Sequence, residues 1–330
     1  MKVLVPFITV LLLAMAGYFL SSFSEGQYVS GIVMPYAACV LFLLGFIWRI
    51  VRWASSPVPF RVPTTCGQQK SLEGITCSNV DNPSGIFGVM ARMFMEIVFF
   101  RSLFRNTRVE LYNESKLVYG SRKWLWLGAM AFHWSFLIIV LRHMRFFTDP
   151  VPSIISFIER VDGLFQIGVP VLYITTSVFG AALLYLFLRR IFVPTIRLIS
   201  LYQDYFPLFL IAAIAVTGII MRYYLKVDLL GVKNLMVGLI HLNPVIPQGI
   251  GSIFYMHLFL ICILAVYFPF SKLMHMPGIF LSPTRNLANN NRARRHINPW
   301  NKAVAVHTYE EWEDEFRDKL KSAGYELEKD

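Results

Sequence analysis

Long apolar stretches constrain the fold of this chain before any motif is considered. Of its 330 residues, 56% are hydrophobic and only 15% are charged. Because a helix rises about 1.5 Å per residue, roughly 20 apolar residues cross the hydrocarbon core of a bilayer. The sequence therefore predicts an all-α, polytopic membrane protein. Six segments are predicted to be transmembrane helices: Val3–Leu20, Ile32–Val51, Trp124–Phe147, Phe165–Leu188, Phe206–Tyr224 and Ser252–Lys272.

Two segments have alternative interpretations. Lys2 followed by a short apolar run also fits a signal peptide, although no clear small-residue cleavage site follows it. Ile86–Phe104 has nearly the length of a span, but Arg92 and Glu96 interrupt it and basic residues follow. That pattern favours a helix that lies in the membrane interface over one that crosses the bilayer.

Basic residues in the connections predict the orientation in the cell membrane. The connection 21–31 has no basic residue. The loop between the second and third spans carries Arg52, Arg61, Lys70, Arg92, Arg101, Arg105, Arg108, Lys116, Arg122 and Lys123. Positive loops stay on the cytoplasmic side, which places this loop and both termini in the cytoplasm. The net charge of +11 then indicates contact with inner-leaflet lipid and with a partner protein, whereas nucleic acid is a poor partner for so apolar a chain.

The spans and loops predict four regions. Residues 1–52 hold two N-terminal transmembrane helices, and 53–123 form a cytoplasmic loop with the interfacial helix. Residues 124–275 form a four-helix bundle. Residues 276–330 form a cytoplasmic tail that ends in a polar amphipathic helix, predicted to lie on the membrane surface or on a partner.

Four histidines stand within or beside two of the predicted spans. His133 and His143 belong to the third span, and His257 and His275 bracket the sixth. Ionisable side chains in the membrane are costly and usually face a bundle interior or a cofactor. Because these two spans are antiparallel, His143 and His257 share the outer depth while His133 and His275 share the inner depth. This arrangement predicts two bis-histidine b hemes, one near each face of the membrane.

On straight helices the two histidine pairs cannot both lie at matching depths. The ten residues from His133 to His143 span about 15 Å of helix, whereas the eighteen from His257 to His275 span about 27 Å. Pro269 can kink the sixth helix, and helix tilt takes up more of the mismatch. The alternative is that the histidines only form hydrogen bonds between helices.

Arginines and one lysine near the span ends are candidates for binding heme propionates, because these anions need charge-assisted partners. The outer candidates are Arg142, Arg145 and Arg222, and the inner ones are Arg189, Arg190 and Lys272. For any one of them the alternative is contact with lipid headgroups.

The cysteines are too few and too scattered for an iron–sulfur cluster within the chain. Cys39 and Cys262 are interpreted as small apolar residues in spans. Cys66 and Cys77 are either plain thiols, a redox pair or groups near a partner's cluster. His241, His296 and His307 are assigned no metal.

Four motifs carry a resemblance to a known family. PYAACVLFLLGFIWR at 35–49, the FH…H arrangement at 132–143, RRIFVPTIR at 189–197 and FPFSKLMH at 268–275 are similar to the di-heme cytochrome b gamma subunit of respiratory nitrate reductase. The N-terminal span, the long loop, the charged tail, TTCGQQKSLEGITC at 64–77 and FRSLFRN at 100–106 resemble the DsrM family. These are cytochrome b subunits of a membrane complex linked to dissimilatory sulfite reduction.

The resemblance implies electron transfer between menaquinone and a cytoplasmic iron–sulfur subunit of the heterodisulfide-reductase type, DsrK. It also implies further subunits, namely a periplasmic multiheme cytochrome c, an iron–sulfur protein and a second membrane subunit. Quinol chemistry is expected beside the outer heme, where the candidates are Arg142, Arg145, Asp149 and Asp162. The alternatives are the membrane anchor of a nitrate reductase or another respiratory oxidoreductase, and a heme-free transporter or structural anchor.

Overall fold

The structure, a computed structural model, describes residues 2–56, 68–112, 116–163, 165, 170–282, 284–290, 292 and 306–328. The longer helices are α1 (Leu4–Leu20), α2 (Ser24–Ala54), α3 (Ile86–Phe99), α4 (Lys123–Phe146), α5 (Ser153–Asp162), α6 (Ile174–Phe192), α7 (Tyr202–Leu225), α8 (Leu229–Ile240), α9 (Ser252–Phe270) and α10 (Tyr309–Ser322). Short helical turns occupy Arg101–Phe104, Pro194–Ile199 and 272–281. Strands β1 (Thr107–Tyr112) and β2 (Lys116–Ser121) form an antiparallel hairpin.

Among the described residues, five helices are long and apolar enough to cross a membrane: α2, α4, α6, α7 and α9. Helix α1 is equally apolar but has 17 residues, the lower limit for a span. It packs along α7 and α9. The rings of Phe7 and Phe209 lie 5.3 Å apart, and a Cβ on Gly17 would be 2.9 Å from the ring of Phe259. Helix α1 thus follows the bundle for most of its length.

The bundle is a chain of pairwise contacts between helices. Helix α4 packs on α6, α6 on α7, α7 on α9, and α9 on α1 and α2. Helices α4 and α6 approach closely, because a Cβ on Gly128 would lie 2.5 Å from the ring of Tyr185. Within the described residues, α4 and α9 have no comparably extensive packing. Helix α4 carries His133 and His143, α9 carries His257, and His275 lies in the segment that follows α9.

The basic loops gather at one end of the bundle, here called the basic end. The Lys2 ammonium donates to the carbonyl of Leu198, 3.2 Å away, so the start of α1 lies beside the connection between α6 and α7. A Cβ on Gly278 would be 3.4 Å from Trp53, which places the segment after α9 beside the end of α2. The Ser21–Ser252 contact of 3.0 Å joins α1 to α9 at the opposite end.

Residues of the tail bind the long loop at the basic end. The backbone N–H of Asn289 donates to the carbonyl of Pro83 at 2.7 Å, and the Asn289 side-chain amide donates to the side-chain oxygen of Asn82 at 2.6 Å. The carboxylate of Glu96 in α3 accepts from the backbone N–H of Ser102 at 3.1 Å and lies 4.0 Å from the guanidinium of Arg285. Loop and tail therefore form one joined surface.

Two predicted boundaries were wrong. The fourth span was predicted from Phe165, but α6 begins at Ile174. Pro170 supplies no backbone N–H and disfavours a helical residue before it, so the helix starts after it. The second span was predicted from Ile32, but α2 already begins at Ser24 and continues through a π-helical turn at Val29–Val33.

Three elements were absent from the prediction: α5, α8 and the hairpin. Helix α8 has 12 residues, too short to cross a bilayer, and the Asp228 carboxylate caps it by accepting from two backbone N–H groups. Its buried Leu235 and Met236 join Tyr255 in one apolar cluster at the opposite end. The hairpin adds a small strand component to a protein that is otherwise helical, as predicted.

Candidate cofactor site

His133 and His275 form the inner pair. His133 projects from the middle of α4, and its ring centroid lies 5.9 Å from that of His275, with the rings nearly perpendicular at 88°. Phe100 and Phe132 flank the His133 ring edge-on at 5.2 and 5.1 Å. A metal–imidazole bond of about 2 Å places two rings on opposite sides of one metal about 6 Å apart, centroid to centroid. At 5.9 Å apart, His133 and His275 could therefore hold the same metal ion.

A break in the helix brings His275 to this position. The chain passes from α9 through a 3₁₀ turn at Phe268–Phe270, and Ser271 is then extended, with φ −115° and ψ 179°. Pro269 cannot donate the backbone hydrogen bond that would continue the α-helix. Because His275 lies beyond this break, the straight-helix distance between His257 and His275 does not apply.

His143 and His257 are the second predicted pair, here called the outer pair. His143 stands near the end of α4, and His257 in the second turn of α9 is only 8% exposed. Both therefore lie towards the end of the bundle where Ser21 contacts Ser252, opposite the basic end. Helix α4 therefore contributes one histidine to each pair. The other member comes from α9 in the outer pair and from the segment after α9 in the inner pair.

All four rings make a hydrogen bond through Nδ1. His133, His143 and His275 contact the backbone carbonyls of Ala129, Ile139 and Lys272 at 2.8, 2.7 and 2.9 Å. His257 contacts the hydroxyl of Thr217 at 2.7 Å. A proton on Nδ1 leaves the Nε2 lone pair for a metal. His241 makes the same kind of bond to Val237 at 2.8 Å, so the pairing of the rings, rather than this bond alone, singles out the four.

The surroundings of the rings also fit a bound planar group. His143 and His275 are exposed and His133 is half-buried. A bare imidazole is costly beside hydrocarbon, so a group that covers these rings would remove that cost. No cluster of three or more His, Cys, Asp or Glu side chains suited to a metal occurs in the described parts of the chain. Two histidines per iron match a bis-histidine heme b, in which the porphyrin supplies the other four ligands.

Two arginines lie against the ring of Tyr173, and one of them, Arg142, directly precedes His143 in α4. The guanidinium carbons of Arg142 and Arg222 lie 3.8 and 4.3 Å from the ring centroid of Tyr173. Arg142 is paired with Asp162, Nε to Oδ2, at 3.0 Å. Arg222 donates to a backbone carbonyl at 3.1 Å, and no carboxylate among the described residues pairs with it. Its uncompensated charge suits an anionic propionate.

A second group of side chains connects this cluster to the surface. The Tyr173 hydroxyl donates to the Glu159 carboxylate at 2.5 Å, and the same carboxylate pairs with Arg145. Burial, together with this hydrogen bond, raises the pKa of Tyr173 above its usual value. Sequence reasoning overlooked Glu159 and Tyr173. The available signal was the ERVD pattern at 159–162, which places Glu159 and Asp162 three residues apart on one helix.

Asp149 does not join the other predicted quinol residues. Its carboxylate pairs with Lys233 of α8 at 2.8 Å, and the side chain is 68% exposed. It lines a separate polar groove with Asn234 and His241. The structure therefore groups Arg142, Arg145 and Asp162 and leaves Asp149 outside.

At the basic end, the predicted propionate residues divide into two groups. Lys272 and Arg190 share the carboxylate of Asp204, at 2.7 and 3.9 Å. Arg189 stands outside this group, as does Arg122, which immediately precedes α4 and which sequence reasoning did not single out. The Nε of Arg122 is buried without a hydrogen-bond partner. Within the described residues neither of these two arginines pairs with a carboxylate.

The described cysteines are free thiols. Cys39 is exposed, Cys262 is buried, and the Cys77 thiol lies 3.6 Å from the side-chain oxygen of Asn79. Cys66 and the histidine at 296 lie outside the described residues.

The helical bundle is that of a polytopic membrane protein, and sequence comparison gives its family. The chain belongs to the nitrate reductase gamma subunit family, whose model matches residues 85–295. The predicted resemblance to that family is confirmed over these residues, which include the motifs at 132–143, 189–197 and 268–275, whereas the motif at 35–49 lies outside the match.

Two curated relatives are more specific. The chain is 44% identical over 282 residues to the "Hdr-like menaquinol oxidoreductase cytochrome b-like subunit" of Archaeoglobus fulgidus, covering 83% of this chain and 84% of the relative. It is 40% identical over 284 residues to the protein of the same name from Archaeoglobus profundus, with 84% of each chain covered.

Proposed function

We propose that this chain is a di-heme cytochrome b subunit that carries electrons between menaquinol and a cytoplasmic iron–sulfur subunit. The observation that carries the proposal is the ring contact of His133 with His275, 5.9 Å between centroids, with His143 and His257 placed on the same two elements, α4 and the segment 252–275. Their separate hydrogen bonds at Nδ1 and the cations beside the outer pair support it. The names of the two Archaeoglobus relatives supply menaquinol as the electron donor.

His143 and His257 would hold one heme b, and His133 and His275 the other. Bound heme supplies a one-electron carrier at each end of the bundle. The protein's part is to orient the axial rings and to neutralise propionates. Arg222 is the leading outer candidate for a propionate because its charge is uncompensated. At the inner heme the corresponding candidates are Arg122 and Arg189, which pair with no carboxylate among the described residues. Lys272, which pairs with Asp204, is a further inner candidate.

Quinol oxidation is proposed at the end that holds the outer pair. Oxidation of a quinol releases two electrons and two protons, so a carboxylate must accept protons beside the electron acceptor. Asp162 is poorly suited, since Arg142 pairs with it and Thr175 donates to it from its backbone N–H at 2.8 Å and its hydroxyl at 2.5 Å. Glu159 is better suited. It too is paired with an arginine, Arg145, and accepts from the Tyr173 hydroxyl, but its side chain is 26% exposed against 2% for Asp162, which gives a proton a way out.

The joined surface of loop and tail is proposed to bind the iron–sulfur subunit. It lies beside the inner pair, because Phe100 at its edge contacts His133 at 5.2 Å. One face of the hairpin carries four large apolar side chains that are exposed by 53 to 68%: Val109, Leu111, Leu117 and Tyr119. An isolated two-stranded hairpin is only marginally stable in water, so a partner on this face would stabilise it.

The proposed partner resembles DsrK, a heterodisulfide-reductase-type protein, and the "Hdr-like" name of the relatives supports this assignment. The larger assembly would add a multiheme cytochrome c, an iron–sulfur protein and a second membrane subunit in a sulfur-reducing pathway. The basic end then faces the cytoplasm, with both termini there and α1 as a sixth span. The anchor of a nitrate reductase is the second candidate, favoured by the family match alone.

Spectroscopy of ligand variants tests the heme assignment. We expect two b hemes per chain by pyridine hemochrome quantitation. His143→Ala and His257→Ala should each remove the same spectral component, and His133→Ala and His275→Ala the other. His241→Ala is the matched control, since His241 has the same Nδ1 contact and is unpaired. Absence of heme would leave only a transporter or anchor, and loss of different hemes within a pair would refute the pairing.

Truncation after Ser282 tests the docking surface. Both hemes should remain spectrally intact, because their ligands precede this point, whereas the iron–sulfur partner should no longer co-purify. The contacts of Asn289 and Arg285 with the loop would be lost in this variant. Retention of a fully reducible partner would limit the docking surface to the loop. Val109→Ser with Tyr119→Ser then tests the hairpin face.

A further inference from the structure

Thr217 of α7 makes an interhelical contact with the outer pair that differs from the other histidine contacts. Its hydroxyl oxygen lies 2.7 Å from Nδ1 of His257, and the two residues are 5% and 8% exposed. The Nδ1 atoms of His133, His143 and His275 contact backbone carbonyls three or four residues away in their own segments. Of these four rings, His257 alone is held by a side chain from another helix.

The surroundings of the hydroxyl decide which group donates. The Oγ1 atom of Thr217 lies 2.9 Å from the carbonyl oxygen of Ala213 and 2.9 Å from that of Ile214. Carbonyls only accept, so the single hydroxyl hydrogen points towards them. The hydroxyl lone pairs therefore face His257, and the ring must donate from Nδ1. A neutral imidazole that donates from Nδ1 has its lone pair on Nε2.

The next residue limits the ring from a second direction. A Cβ on Gly218 would lie 3.5 Å from Cε1 of His257, the carbon between the two ring nitrogens. Helix α7 therefore contacts the ring at Nδ1 through Thr217, and its backbone at Gly218 passes close to the Cε1 edge. The Thr217 contact sets the rotation of the imidazole plane.

We infer that Thr217 is a positioning residue for the outer heme, acting through His257 as the acceptor that selects the Nε2-ligating tautomer and sets the ring plane. The inference rests on the proposed heme function. An acceptor at Nδ1 makes the imidazole a stronger donor to the metal, which favours oxidised iron. Loss of this acceptor should therefore raise the midpoint potential of the outer heme and leave that of the inner heme unchanged.

The test compares Thr217→Val with Thr217→Ser in the full-length protein. Valine keeps the branched shape without the hydroxyl, and serine keeps the hydroxyl. Thr9→Val is the matched control, because the Thr9 hydroxyl contacts only the Val5 carbonyl of its own helix, at 2.9 Å. The measurements are heme content, a redox titration that resolves the two hemes, and the low-spin g-values of each heme by electron paramagnetic resonance.

With two hemes retained, we expect Thr217→Val to raise the outer midpoint potential and to shift the g-values of that heme alone. Thr217→Ser should restore both, and Thr9→Val should change neither. An unchanged or lowered outer potential with full heme content would overturn the inference. Absence of heme from the unmodified protein would instead overturn the proposed function, so the two failures are distinguishable.

Discussion

The buried ion pair of Arg142 and Asp162 can be used to test the packing at the end of the bundle opposite the basic end. The side chains are 9% and 2% exposed, and Nε lies 3.0 Å from Oδ2. Replacing Asp162 by Asn removes the negative charge and turns an amide N–H₂ group either towards the guanidinium or towards the donor groups of Thr175. The arginine is then left buried without its counter-charge.

Breaking a buried ion pair in this way costs about 3–5 kcal/mol. Since about 1.4 kcal/mol corresponds to a factor of ten, the folded arrangement of this end should be disfavoured by roughly two to three and a half orders of magnitude. We expect a large fall in the thermal denaturation temperature of the detergent-solubilised protein and early loss of the outer heme.

Asp149→Asn is the matched control. Asp149 pairs with Lys233 at 2.8 Å but its side chain is 68% exposed. An exposed pair contributes at most about 1 kcal/mol. A combined Arg142→Met and Asp162→Leu variant should recover stability, because apolar replacement of both partners removes the uncompensated charge. Equal, small changes in thermal denaturation temperature for Asp162→Asn and Asp149→Asn would refute a structural role for the Arg142–Asp162 pair. Full stability with loss of menaquinol oxidation would make Asp162 the proton acceptor.

Three other predictions follow from the contacts. Glu159→Gln should slow menaquinol oxidation without changing heme content, and Glu159→Asp should recover part of the rate; an unaffected rate would exclude this carboxylate. Gly128→Ala places a Cβ 2.5 Å from the Tyr185 ring, against an ordinary contact of about 3.5–4 Å, and should cost about 1–3 kcal/mol in thermal denaturation unless Tyr185→Ala accompanies it. Arg101 and Arg105 hold the pKa of Asp81 below 3.8 despite its burial, so these ion pairs within the long loop should persist down to about that pH and weaken as the pH falls further. Pepsin cleavage of the loop measures this weakening, and faster cleavage above pH 5 would contradict the prediction.

The sequence by itself determined the membrane class, most of the span boundaries and the candidate ligands. Apolar length and helical rise are local properties, so a linear reading is enough for them. The depth of each histidine follows from its place in a span. The family resemblance was likewise visible in short motifs, and the comparison over 85–295 bears it out.

Only the tertiary structure decided which side chains meet. The distance between His133 and His275 depends on the break at Ser271, which turns the chain away from the axis of α9. The neutralisation of Asp162 by Arg142, and the separation of Asp149 from both, depend on how α5 folds against α4. Such contacts join residues distant in sequence, and their geometry comes from packing rather than from any periodic pattern.

The same reason explains the joined surface at the basic end. Asn82 and Asn289, whose side chains lie 2.6 Å apart, are separated by 207 positions along the chain. Local composition indicates only that each segment is polar and suited to a loop. Their mutual hydrogen bonds exist because α2 and α9 end on the same side of the bundle, a consequence of the packed topology that no single segment encodes.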